Sequence, residues 1–249
     1  MRLLINSERA PDRRVVWGVA LVQNMPTPIP GLEPEWMILS ALDVEKLTQF
    51  GKQVAFNDAK KTIFEQGAEA TRFWMLSSGI VRVSRILPDG ERHVIAFHWP
   101  GDLFGLEENG LYLNHAETVT PCVVCEFSSQ KLHEFLTSHP QVQQTVLVKA
   151  IYNLRAAQRQ LILVGRLDLH RAMAAFLVDC TTHDAYFNSQ TSTLSLPMSR
   201  YDIADYLGTA TESITRAMSR LEAEGLIHRT TPRELVLNIP GLKRLANLD

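Results

Sequence analysis

The sequence predicts an α+β protein: an antiparallel β roll, then one long helix, then a small winged helical domain. Three observations predict this order. From about Val54 the apolar residues follow a period of two and glycines interrupt them, as in short strands joined by turns. From Gln141 to Val164 the period becomes helical. Two short helical patterns then flank Gly208, and two short apolar runs follow, which indicates a helical hairpin with a β wing.

The composition agrees with one large or two modest folded domains. The chain has 249 residues, 45% hydrophobic and 21% charged, with a net charge of −2. Residues 190–249 contain seven basic and seven acidic side chains, so DNA binding there would require the arginines to cluster on one face. No apolar run is long enough to cross a bilayer and there is no signal-peptide pattern, so we expect a cytoplasmic protein without membrane contact.

The roll is assigned to residues 36–140, after an extension of residues 1–35 whose prolines favour extended backbone. Trp36 to Phe50 has the spacing of a short helix. In the strand region that follows, Pro88-Asp89-Gly90 is a turn signal between two strand-like runs. Short strands between such turns are typical of an antiparallel barrel or roll.

The three cysteines do not predict a disulfide framework or a metal site. Cys122 and Cys125 lie in a strand-like run, where residues three apart point to opposite faces. No second ligand pair accompanies them, so we expect one buried and one partly exposed thiol, no metal and no cofactor.

Residues 141–166 are predicted to form a dimerisation helix. Its apolar residues recur at spacings of three or four and make a narrow stripe, which suits two-stranded packing. The stripe consists of Val146, Ala150, Leu154, Ala157 and Leu161. The alternative is that this stripe packs on the roll.

Residues 167–249 are predicted to form a winged helix-turn-helix. Asp168 is expected to cap a helix from Leu169 to Cys180, and Ser199 is expected to cap the first helix of the hairpin. Gly208 stands where the turn requires a residue that tolerates positive φ. A polar loop is expected at residues 188–193, a wing at residues 226–237 and a closing helix from residue 240.

The second helix of the hairpin carries side chains suited to reading DNA bases. Glu212 can accept from a cytosine amino group, Arg216 can donate to guanine O6 and N7, and the Thr215 methyl can contact a thymine methyl. One alternative is a hairpin that merely packs. Another is that Thr209 or Thr211 caps this helix, and if Thr209 does, Glu212 stands at the capping-box position. The predicted DNA contacts are Ser199, Arg200, Thr211, Glu212, Ser213, Thr215, Arg216, Ser219, Arg220 and Arg233.

These motifs resemble the bacterial CRP/FNR transcription regulators, and the hairpin is most similar to the FNR/FixK branch. The resemblance rests on Leu-Pro-Met-Ser-Arg-x-Asp-Ile-Ala-Asp-Tyr-Leu-Gly at 196–208, Ile-Phe-Glu-Gln-Gly at 63–67 and Pro-Gly-Asp-Leu-Phe-Gly at 100–105. It implies a cyclic-nucleotide-binding-type jelly roll as the sensor and a homodimer that binds a palindromic double-stranded operator with TTGA-type half-sites. It also implies an activator that contacts RNA polymerase, with repression from an overlapping site as the alternative. Two positions depart from the family pattern. Thr215 stands where the family usually has Ser, and Ala210 stands where it usually has Ser or Thr.

Residues 106–118 depart from the cyclic-nucleotide-binding relatives. Those relatives have a Glu for the ribose and an Arg-Ser or Arg-Thr pair for the phosphate. This chain has Glu107, Glu108 and Glu117 and no Lys or Arg in the segment, so a cyclic phosphate would meet only acceptors. We therefore expect regulation that does not depend on cyclic AMP.

The sequence bears on two other ligand classes and one other protein class. No cysteine precedes Cys122, so an FNR-type iron–sulfur cluster is not expected. A haem- or redox-dependent gas sensor of the same fold is the alternative, with His93, His98 and His115 as its histidines; no motif identifies the small-molecule effector. A cyclic-nucleotide-gated enzyme or channel would need a catalytic domain or membrane spans, and neither pattern is present, so we expect no enzymatic activity.

Overall fold

The computed structural model describes residues 51–107, 110–165 and 167–246. The predicted extension and the predicted helix from Trp36 to Phe50 lie outside these residues. The strands of the roll are β1 Lys52–Phe56, β2 Thr62–Phe64, β3 Arg72–Ser78, β4 Val81–Ile86, β5 Arg92–His98, β6 Leu103–Phe104, β7 His115–Thr118 and β8 Cys122–Ser128. In the described part of the chain no helix has both the length and the apolar character needed to cross a membrane.

The predicted antiparallel roll is confirmed as two four-stranded sheets. Their strand orders are β1-β8-β3-β6 and β2-β7-β4-β5, with antiparallel neighbours throughout. Aromatic rings join them, because Phe64 of β2 stacks on Trp74 of β3 at a centroid distance of 5.0 Å and on Tyr112 at 4.2 Å. The turn that separates β4 from β5 contains Gly90 at φ 85°, as the turn signal predicts.

Both thiols of β8 are buried, which corrects the expectation of one partly exposed thiol. β8 lies between β1 and β3, and side chains pack on both of its faces. The Cys122 thiol donates to the Ile80 carbonyl at 3.2 Å, whereas Cys125 packs directly against the backbone of Gly51. Burial raises the pKa of Cys122 above its usual value and raises the pKa of Cys125 to about 12, so both are protonated at neutral pH.

The described residues contain six helices. They are α1 Ser129–Ser138, α2 Pro140–Gly165, α3 Leu169–Cys180, α4 Arg200–Leu207, α5 Thr211–Ala223 and α6 Ile239–Ala246. The long helix α2 agrees with the predicted helical stretch, and α6 agrees with the predicted closing helix. Helix α1, which follows β8 directly, was not predicted from the sequence.

The predicted caps of the second domain are confirmed. The Asp168 carboxylate accepts from the Arg171 amide at 3.1 Å and starts α3. Ser199 and Asp202 form a reciprocal capping box at the start of α4. Gly208 ends α4 at φ 64°, where its amide donates to the Ala204 carbonyl.

The wing belongs to a larger sheet than predicted. The predicted polar loop is part of a hairpin that pairs with the wing, so the strand order is β11-β12-β10-β9. The strands are β9 Phe187–Asn188, β10 Thr193–Ser195, β11 Ile227–Thr231 and β12 Glu234–Leu237. Leu194 faces the core with no exposed surface, and this burial holds the short hairpin in place.

Candidate nucleic-acid interface

One face of helix α5 is apolar and packs against the rest of the domain. Ala204 of α4 and Ile214 of α5 are both fully buried, so the small residue permits close helix crossing and the branched residue fills the gap. Met218 and Leu221 continue the buried face of α5. The opposite face of α5 is therefore the one available to a ligand.

That opposite face presents the predicted base-reading side chains. All four of these side chains are exposed: Glu212, Thr215, Arg216 and Ser219. Glu212 and Arg216 lie four residues apart, on one side of the helix. Arg216 donates from Nη2 to Ser213 Oγ at 2.9 Å. The Glu212 side chain makes no hydrogen bond or ion pair within residues 51–107, 110–165 and 167–246.

The capping alternative for Glu212 is wrong. The N-cap of α5 is Ala210, whose methyl group cannot accept a hydrogen bond, so neither Thr209 nor Thr211 takes that position. Glu212 is the second helical residue, near the positive end of the helix dipole. Its carboxylate is thus left available for an external donor.

The remaining predicted DNA contacts have different surroundings. Arg233 is exposed in the turn between β11 and β12, at the tip of the wing. Arg220 is exposed, and its Nε lies 2.9 Å from Glu224 Oε1. An exposed ion pair of this kind contributes little to stability, so a DNA phosphate can replace Glu224 as the partner. The Ser199 hydroxyl is engaged in the capping box, and Arg200 and Thr211 are half-buried at the starts of α4 and α5.

The predicted dimerisation stripe is largely uncovered in the single chain. Leu154 and Leu161 are 58% and 74% exposed, whereas Val146 is half-buried. The exposed residues Ala150 and Ala157 lie along the same side, and α2 carries four further large apolar side chains that are exposed, namely Leu147, Ile151, Ile162 and Val164. An apolar strip of this length is typical of a surface that another protein covers.

A neighbouring side of α2, which includes Ala157 of the predicted stripe, closes a cavity in the roll. The cavity has a volume of about 290 Å³ and lies between β5, the β6 region, α2 and the Tyr206 end of α4. Its described lining includes Phe64, Ile95, Phe97, His98, Asp102, Phe104, Glu107, Asn153, Gln160 and Tyr206, and no Lys or Arg. An anionic ligand in it would meet two carboxylates without a compensating cation.

One of the acidic residues and two of the histidines singled out in the sequence lie outside this cavity. Glu117 does not line the described cavity, because its carboxylate pairs with Arg82 on the outer side of the sheet. Of the three candidate haem histidines, only His98 lines the cavity, where it stacks on Phe104 at 5.3 Å. His115 lies 3.7 Å from Glu117, and the described residues contain no cluster of three metal-ligating side chains.

Comparisons with known proteins agree with this architecture. The sequence profile of the cyclic nucleotide-binding domain matches residues 57–139, and that of the Crp-like helix-turn-helix domain matches residues 171–246. The nitrogen fixation regulation protein FixK of Bradyrhizobium diazoefficiens is 32% identical over 76% of this chain and 81% of its own length. The chain belongs to the CRP/FNR family of transcription regulators.

Two further relatives place it in the FixK-like branch of that family. The transcriptional activatory protein AadR of Rhodopseudomonas palustris is 34% identical over 76% of this chain and 79% of its own length. The solved structure of FixK2 from Bradyrhizobium japonicum superposes with a TM-score of 0.71 at 30% identity, over 80% of this chain and 97% of that one. Members of the CRP/FNR family regulate transcription and are not enzymes.

The CRP/FNR motifs did not reveal the charged contact between the roll and the helix-turn-helix. Arg82 and Arg92 of the roll pair with Asp202 and Asp205 of α4. The sequence offered one weak signal, an arginine inside the alternating strand of β4, and such an arginine is ordinarily read as a solvent-facing residue. The pairing itself depends on how the two domains meet.

Proposed function

We propose that this CRP/FNR protein is a homodimeric, sequence-specific regulator that binds an inverted repeat of TTGA-type half-sites and activates transcription by contacting RNA polymerase. The observation that carries the proposal is the exposed face of α5. Glu212, Thr215 and Arg216 lie there together, with chemistry suited to cytosine, thymine and guanine respectively. The names of FixK and AadR, a regulation protein and an activatory protein, support the activator role.

The proposed dimer forms through the exposed stripe of α2. Pairing of two α2 helices would cover Leu154, Leu161 and their neighbours, which removes apolar surface from water. A two-fold dimer presents two α5 helices to successive major grooves, about 34 Å apart. An inverted repeat in the operator follows from that symmetry.

The proposal is tested by titrating the full-length protein onto two fluorescent duplexes at one salt concentration. One duplex carries the inverted TTGA repeat, and the other has the same base composition in scrambled order. We expect the repeat to bind at least about a thousandfold more tightly, the lower end for specific DNA-binding proteins. Equal affinity for the two duplexes would contradict sequence-specific binding.

We also expect operator binding to be independent of cyclic AMP. The cavity offers Asp102 and Glu107 to a cyclic phosphate and no guanidinium or ammonium among its described lining. Isothermal calorimetry at micromolar protein should show no heat of binding, and added cyclic AMP should leave the affinity for the operator unchanged. A stoichiometric isotherm for cyclic AMP or cyclic GMP would overturn this expectation.

A further inference from the structure

The interface between the roll and α4 contains a buried cluster of charged side chains. Arg82 of β4 donates to Asp202 of α4 and to Glu117 of β7. Arg92 of β5 donates from Nη2 to Asp202 Oδ1 at 2.8 Å and from Nε to Asp205 Oδ2 at 2.7 Å. The side chains of both arginines and both aspartates are between 8% and 20% exposed, so salt screens these pairs weakly.

Asp202 connects this cluster to the start of α4. Its Oδ2 accepts from the Ser199 amide at 3.2 Å and from the Ser199 hydroxyl at 2.7 Å, while its Oδ1 accepts from both guanidinium groups. Burial opposes ionisation of this carboxyl, but Ser199, Arg82 and Arg92 outweigh the burial and hold its pKa below the usual value. One carboxylate therefore fixes both the beginning of α4 and its place on the roll.

Other contacts hold α4 in the same position, among them the Phe97 ring of β5, whose centroid lies 5.3 Å from that of Tyr206 in α4. The Gln160 side chain of α2 donates to the carbonyl of Val94 in β5 at 3.1 Å and to that of Tyr206 in α4 at 3.2 Å. The guanidinium of Arg92 lies 4.8 Å from the centroid of the Tyr201 ring, in cation–π geometry. The roll, the long helix and the helix-turn-helix thus meet at α4.

We propose that Arg82 and Arg92 are positioning residues for DNA binding, which hold α4, and with it α5, in a fixed orientation on the roll. The inference rests on the proposed DNA-binding function. Only a short turn at residues 208–210 separates the two helices, and the buried Ala204 and Ile214 pack where they cross, so the orientation of α4 sets that of α5. In the observed orientation the base-reading face of α5 is exposed.

Releasing α4 from the roll weakens DNA binding because the freed domain has to be ordered again on the operator. Arg92→Gln removes the charge and both ion pairs while keeping a long polar side chain. We expect it to bind the inverted repeat about tenfold more weakly than the wild type in an anisotropy titration. Arg85→Gln is the matched control, since Arg85 lies on β4 but donates within the roll, to the Leu113 carbonyl at 3.2 Å.

A double-mutant cycle shows whether Arg92 acts through α4. In the Arg92→Gln background, Asp205→Asn should cost little further affinity, because the two side chains share one interaction. Wild-type affinity for Arg92→Gln, or losses for the two variants that simply add, would overturn the inference.

Hydrogen exchange of the DNA-free protein separates this inference from the proposed function. Arg92→Gln should speed amide exchange in α4 and leave exchange in β3 and β8 unchanged. Unchanged exchange in α4 would overturn the positioning role. If the wild type fails to distinguish operator from scrambled DNA, the proposed function fails, and the exchange measurement still decides whether the arginines hold α4.

Discussion

Leu154→Asp is expected to convert the dimer to a monomer and abolish operator binding. In the proposed dimer, residue 154 lies opposite or close to its symmetry mate, so the substitution would bury two carboxylates in an apolar seam without a partner. A monomer engages one half-site and loses the gain from bivalent binding, which is about a hundredfold or more. Sedimentation velocity and DNA titration on the same sample measure both effects.

Leu111→Asp is the matched control for this prediction. Leu111 is also about half exposed, but it lies on the roll, outside α2. The control variant should remain a dimer and bind the operator like the wild type. A Leu154→Asp variant that sediments as an intact dimer would mean that the dimer forms through a different surface.

Arg216→Ala is expected to cost roughly 1–3 kcal/mol on the operator and to relax the preference for guanine at one position. The Arg216 side chain is exposed on the base-reading face, and its only described partner is Ser213 of the same helix. Its removal therefore costs little folding stability. Titrations with the cognate duplex and with duplexes substituted at single positions measure the change in discrimination.

Arg233→Ala is expected to affect DNA binding differently from Arg216→Ala. A wing arginine that contacts the phosphate backbone should weaken binding to operator and scrambled DNA alike and reduce the salt slope by about one. Arg216→Ala should instead affect mainly the operator. Equal losses on both DNAs for Arg216→Ala would show that Arg216 contacts only phosphate.

The features predicted correctly from the sequence depend on nearby residues. The Asp168 cap, the Ser199–Asp202 capping box and the left-handed Gly208 each involve hydrogen bonds within one helical turn. The alternation of short apolar runs likewise predicted the roll, because strand periodicity is local.

The features that were missed depend on contacts between distant parts of the chain. Arg82 and Asp202 are 120 residues apart, and neither the strand pattern of one nor the capping role of the other implies their pairing. The exposure expected for one thiol of β8 was wrong because neighbouring side chains cover both faces of that strand. Glu117 was assigned to the cavity from its place in the segment, whereas the alternation of β7 turns it outward to Arg82.

The most direct test of the central claim is a selection of binding sites from random DNA by the full-length protein. We predict a palindrome of two TTGA-type half-sites, centred about one helical turn apart, with a G·C pair at the position that Arg216 reads. Loss of that G·C preference in a parallel selection with Arg216→Ala would connect the base to the side chain. Recovery of no palindrome, or of a palindrome without the G·C pair, would contradict the proposed function.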